Sequence, residues 1–100
     1  MEVPKLKEPE ISEYKYSYTC KRCDIDVNKH MHNLNYINLA YETLPENIYI
    51  SELNNIEVMF KKQIKIGETV DCFYSYTNNT NIITIKNKEN NTVNAIVKIF

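Results

Sequence analysis

One hundred residues, 43% hydrophobic and 25% charged, make a single domain with a modest core and the profile of an ordinary soluble globule. A net charge of −1 argues against a general nucleic-acid binder, no apolar run approaches a membrane span, and the charged start from Met1 to Glu10 is unlike a secretory signal. The lone glycine, Gly67, excludes the multi-glycine loops that cradle phosphates, and no Gly-x-Ser-x-Gly elbow is present.

Residues 1–12 place Pro4 and Pro9 among charges and read as an extended linker or N-terminal arm, with one domain over 13–100. Such a start is expected where a larger protein is divided just ahead of a second domain. Tyr14, Tyr16, Tyr18 and Cys20 alternate with polar residues and predict a strand with one aromatic face. Asn33 is the expected helix N-cap, followed at helical spacing by Leu34, Ile37, Ala40, Tyr41 and Leu44. Tyr36 and Leu39 widen the apolar surface to that of a mostly buried helix, and Pro45 closes it.

Ile56, Val58 and Phe60 predict a second strand whose even face continues through Ile64 and Ile66 to a turn at Gly67-Glu68. Val70, Cys72, Tyr74 and Tyr76 mark a third, and Asn78-Asn79 a hairpin turn. Ile83 and Ile85 mark a fourth strand, ended by the polar run from Asn87 to Asn91, and Val93, Ala95, Val97 and Ile99 mark the fifth. Short connections imply that the last four strands lie as successive antiparallel neighbours. One long helix on a curved antiparallel sheet of about five strands is an α+β two-layer arrangement, of which the hotdog fold is the best-known case. A single such layer leaves apolar surface uncovered, so a homodimer or a missing sister domain is expected.

Polar chemistry concentrates between Cys23 and Ile37, with two carboxylates, two imidazoles and three amides ahead of and into the helix. On extended backbone Asp26, Asn28 and His30 would point the same way. The unpaired N–H groups of the helix's first turn, close by, would suit a carbonyl oxygen, and a carboxylate or imidazole beside them could activate water. Against this stands a plainer reading in which Asp26 and Asn28 cap a turn and His30 is a loop histidine. Cys20 and Cys23 have half the spacing of a zinc knuckle, but the odd offset along a strand sends them to opposite faces, so no metal site is expected. Three cysteines without a disulfide framework fit a reducing cytoplasm, and Cys20 and Cys72 read as small core residues. The Lys61-Lys62-Lys65 run reads as a solvated edge, though an acidic partner could use it.

The run from Arg22 to Ile37 closely resembles the signature of acyl-acyl-carrier-protein thioesterases, x-Ser-Asp-x-Asp-x-Asn-x-His-Val-Asn-Asn-x-x-Tyr-Ile. The likeness continues through Glu42-Thr43-Leu44-Pro45 and the strand from Ile56 to Gly67, and Pro4-Lys5-Leu6-Lys7 resembles the linker between that family's two hotdog domains. The resemblance implies a hotdog fold, hydrolysis of an acyl chain from the phosphopantetheine thiol of acyl carrier protein, and no cofactor. It also implies that this chain matches the second of two hotdog domains. Carried over by position, Asp26, Asn28 and His30 match the catalytic motif, and His32, Asn33 and Tyr36 fall at substrate-contacting positions, His32 in place of the family's usual first asparagine. Two further departures stand out: Gln63 occupies the place of an expected catalytic glutamate, and Ile64 that of a cysteine, which excludes a thiol nucleophile there. An amide at Gln63 keeps the shape but cannot take a proton. Hydrolysis of acyl-coenzyme A, or a non-catalytic acyl-binding or dimerisation module, are therefore the alternatives.

Overall fold

The computed structural model describes residues 12–46, 48 and 55–100, so the arm expected over 1–12 lies outside them except for Ser12. Five strands, β1 (Glu13–Thr19), β2 (Ile56–Phe60), β3 (Thr69–Thr77), β4 (Thr80–Asn87) and β5 (Val93–Ile99), and one helix, α1 (Asn33–Thr43), follow the expected order. All strands form one antiparallel sheet, and its inner face meets the helix. Val70, Cys72, Ile83, Ile85, Ala95, Val97 and Ile99 line that face, none more than 1% exposed. Among the described residues no helix is long and apolar enough to cross a membrane.

The hairpins form where the turn chemistry predicts. Asn78 and Asn79 both take positive φ, 52° and 60°, the pairing a two-residue β3–β4 hairpin requires to match strand twist. Asn91, at φ 59°, closes the β4–β5 turn, whose Asn87 Oδ1 accepts the N–H of Glu89 at 2.9 Å. Gly67, at φ 85°, supplies the left-handed residue of the turn ahead of β3.

The expected strand order does not form. The sheet runs β1-β3-β4-β5-β2, so β2 and β3, successive in sequence, are separated by β4 and β5. Pairing with β5 sets Ile56, Val58 and Phe60 opposite Ile99, Val97 and Ala95, an apolar ladder. β2 therefore ends at Phe60, and the run to Ile64 and Ile66 is not strand. Residues 61–68 instead travel along one end of the sheet, from the start of β5 to the end of β1, where Gly67 N–H donates to the Cys20 carbonyl at 2.9 Å. Ile64, fully buried, plugs this crossing, while Ile66 is 47% exposed.

Two smaller expectations also change. Tyr14 pairs with Phe73 but Tyr16 with Cys72, so a bulge at Lys15 shifts the phase of β1. Tyr14 thus lies on the outer face, edge-on to Phe73 with ring centroids 5.9 Å apart, whereas Tyr16 and Tyr18 pack against the core. On α1 the buried stripe is Tyr36, Leu39, Ala40 and Thr43, an i, i+3, i+4, i+7 set, and Leu34 is 59% exposed. Cys20 and Cys72 are buried in the core, as their strand positions predict, while Cys23 is at the surface.

Candidate active site

The polar segment is built on Asp24, which closes a short 3-10 turn over Arg22–Asp24. Its side chain, 9% exposed, accepts the Tyr18 hydroxyl at 2.6 Å and the Lys21 N–H at 2.8 Å on Oδ2. Its main-chain oxygen accepts the His32 N–H at 2.8 Å and the Asn35 amide at 3.2 Å. Asp24 therefore ties β1, the polar segment and the first turn of α1 together. The hydrogen bond to this carboxylate, with some desolvation, pushes the Tyr18 phenol up to about 12.

Beyond Asp24 the backbone is not extended through Asp26, Asn28 and His30. Asp26 N–H donates to the His30 carbonyl at 2.9 Å, Ile25 bridges Met31, and Lys29 takes φ 64°, which makes a tight reversal. Asp26 Oδ1 drives it by accepting the N–H groups of Asn28 at 2.8 Å and His30 at 3.3 Å. A short side-chain acceptor offers the backbone this turn in place of strand pairing. The alternate-position geometry is thus replaced by a loop in which Asp26 is the inner cap. Asn28 is exposed and His30 half-buried, and neither side chain, nor Asp26 Oδ2, has a hydrogen-bond partner among the described residues.

The helix start also differs by one residue. His32, not Asn33, is the N-cap, its Nδ1 accepting the Leu34 N–H at 3.2 Å, and the Asn35 N–H returns to the His32 carbonyl at 2.9 Å. Asn33 keeps the one first-turn N–H without a partner among the described residues.

That amide belongs to the residue at the mouth of a cavity of about 190 Å³, lined among the described residues by Asn33, Tyr36, Phe60, Lys61, Lys62 and Gln63. Tyr36 is 2% exposed, its ring edge-on to Phe60 with centroids 5.1 Å apart, and its hydroxyl accepts the Ile64 N–H at 3.0 Å. Burial raises its phenol above the usual range. Met31 N–H donates to the Ile64 carbonyl at 2.9 Å and His30 bridges Lys65. The motif loop is thereby stitched to the segment that carries Gln63. Of the expected site residues, Asn33, Tyr36 and Gln63 share the cavity. Asp26, Asn28 and His30 form the adjoining loop and do not line it, and His32 caps the helix between the two groups.

Three residues that shape this site carry no motif of their own: Asp24, Phe60, and Asn94, whose hydrogen bonds to Lys61 and Lys62 hold the segment leading to Gln63. Asp24 stands two residues before Asp26 and gave no sign of which carboxylate would be buried. Asn94 was the stronger hint, a polar residue inside the apolar run Val93 to Ile99.

A helix laid on a five-stranded antiparallel sheet in this order is the hotdog fold of the thioesterases. The family model for the acyl-ACP thioesterase C-terminal domain matches residues 6–99, and the chain belongs to that family. A comparison with curated protein sequences returned no match. Among solved structures it is similar to a 12:0-ACP thioesterase from Umbellularia californica, with TM-score 0.83 and 16% identity over 97% of this chain and 38% of that one. It is also similar to an acyl-ACP thioesterase from Bacteroides thetaiotaomicron, with TM-score 0.73 and 17% identity over 100% of this chain and 44% of that one. A 1,4-dihydroxy-2-naphthoyl-CoA thioesterase from Synechocystis superposes with TM-score 0.73 at 11% identity, covering 88% of this chain and 78% of that one. The chain thus spans less than half the length of the two acyl-ACP thioesterases.

Proposed function

We propose that this domain hydrolyses the thioester of acyl-acyl carrier protein, releasing a free fatty acid without a metal or organic cofactor. Family membership supports the reaction class. The observation that carries the site is the pairing of residues 30–31 with 64–65, which sets the Asp26/Asn28/His30 loop beside Gln63 across more than thirty residues of sequence. In this reading the thioester carbonyl sits near the unpaired Asn33 N–H, which opposes the charge developing on its oxygen. Asp26, through its free Oδ2, with His30, activates water or attacks directly, and Asn28 and Gln63 hold the water or substrate. The thiolate leaves readily, so one base and one oxyanion donor suffice.

A reducing cytoplasm and fatty-acid synthesis fit this reading, all three cysteines being free thiols. A second hotdog unit, either another copy or a sister domain, completes the acyl pocket. The residue assignment is tested by thiol release from acyl-acyl carrier protein. Asp26→Asn combined with His30→Ala is expected to lower the rate at least a hundredfold, and a rate equal to that of the parent sinks it. The carrier is decided by comparing kcat/KM on the protein-borne and coenzyme A-borne acyl group, with the protein carrier expected to be preferred.

One observation favours a second reading. Gln63 cannot take a proton, which suits an acyl-binding module without chemistry. If the parent is inactive and Gln63→Glu gains hydrolysis, the binding module is the better account.

A further inference from the structure

Gln63 makes no main-chain hydrogen bond of its own among the described residues, yet the residues on both sides of it are fixed. On one side Ile64 is held through its N–H by Tyr36 and through its carbonyl by Met31. On the other side the anchor is Asn94. Its carbonyl accepts the N–H groups of Lys61 at 2.8 Å and Lys62 at 3.1 Å, and its side-chain amide donates to the Lys62 carbonyl at 3.1 Å.

Asn94 occupies this place because β5 is irregular there. Ile85 pairs with Ala95 and Lys86 with Val93, so Asn94 is the extra residue of a bulge, released from the β4 ladder. Phe60 opposite Ala95 is the last β2–β5 pair, and the chain leaves the sheet against Asn94. Asn94 is 1% exposed, and its Oδ1 has no partner among the described residues. A buried amide that leaves one atom unsatisfied is costly, and an aliphatic side chain at that position would avoid the cost. What the asparagine supplies is the donor for the Lys62 carbonyl, one residue ahead of Gln63.

We infer that Asn94 is a positioning residue for Gln63, holding the Lys61–Lys62 backbone so that the Gln63 side chain faces the cavity beside Asn33 and Tyr36. The inference rests on the proposed role of Gln63 in that cavity and names the group that sets its place.

A double-mutant cycle tests it in the full chain. Asn94→Ala is expected to lower kcat about tenfold, the equivalent of one net hydrogen bond, with KM changed less than about twofold. In the Gln63→Ala background the same substitution is expected to change kcat less than about twofold, because the residue it positions is gone. Asn94→Asp keeps the size but replaces the donor with an acceptor, and should reproduce the loss if the alanine variant fails to fold. Equal losses from Asn94 substitution in both backgrounds overturn the inference and leave Asn94 a fold residue only. Affinity for a non-hydrolysable acyl-pantetheine thioether separates this result from failure of the hydrolase reading. If the chain binds the thioether without turning over thioester, that reading fails, and the cycle is read in Kd with the same criterion. A chain that neither binds nor hydrolyses overturns both.

Discussion

At the scale of single residues, two carboxylates two positions apart do different work because their surroundings differ. Asp24 is buried among donors and holds three pieces of chain together, whereas Asp26 caps a surface loop and keeps one oxygen without a partner among the described residues. Asp24→Ala would leave the Tyr18 hydroxyl and the Lys21 N–H without their acceptor. It is expected to cost about 2–3 kcal/mol in urea unfolding, with Asp24→Asn costing less. His32 makes a separate prediction as the cap of α1. His32→Ala should cost about 1 kcal/mol, and His32→Asn, which restores a good cap, should recover most of it.

At the scale of elements, what was legible in the sequence was local. Strand and helix spacing, the Asn78-Asn79 hairpin, the Gly67 turn and the buried Cys20 and Cys72 follow from side-chain period and backbone preference. These act over a few residues. The position of β2 beside β5 was not legible, because adjacency in sequence favours a neighbour while the choice of ladder is a comparison of whole apolar faces. The candidate site was half legible for the same reason. The residue types of the motif loop stand out, but its shape is set by Asp26 Oδ1 accepting two N–H groups, and its neighbour Gln63 arrives through a crossing that no spacing announces. That crossing depends on Gly67. At φ 85°, with no described residue beyond its chain neighbours within 4 Å of where a Cβ would sit, Gly67→Ala is penalised by backbone conformation alone. Calorimetric or urea unfolding should show a loss of about 1–2 kcal/mol, and Gly67→Asn, which tolerates that region, a smaller one.

At the scale of the whole molecule, folding makes two groups resist ionisation, Cys72 in the core and Tyr18 beside it. Desolvation pushes the Cys72 thiol up from 9.0 to about 11, and the Asp24 contact pushes the Tyr18 phenol up from 10.0 to about 12. The unfolded chain therefore sheds these protons at lower pH than the folded one. Stability from both groups is fully present below about pH 9 and falls as the pH rises from there towards about 12. Urea midpoints measured between pH 8 and 11 should decline accordingly, and Cys72→Ala should flatten the part of the decline between pH 9 and 11.

The whole molecule also decides how the site is used. The cavity of about 190 Å³ lies between the start of α1 and the segment that follows β2, so the packing of helix on sheet sets its walls. The chemistry itself is tested most directly by incubating the chain with acyl-acyl carrier protein and following free thiol and free fatty acid together. Equimolar release of both over many turnovers is expected, lost in Asp26→Asn. Binding of the acyl carrier without release above the enzyme-free rate would contradict it.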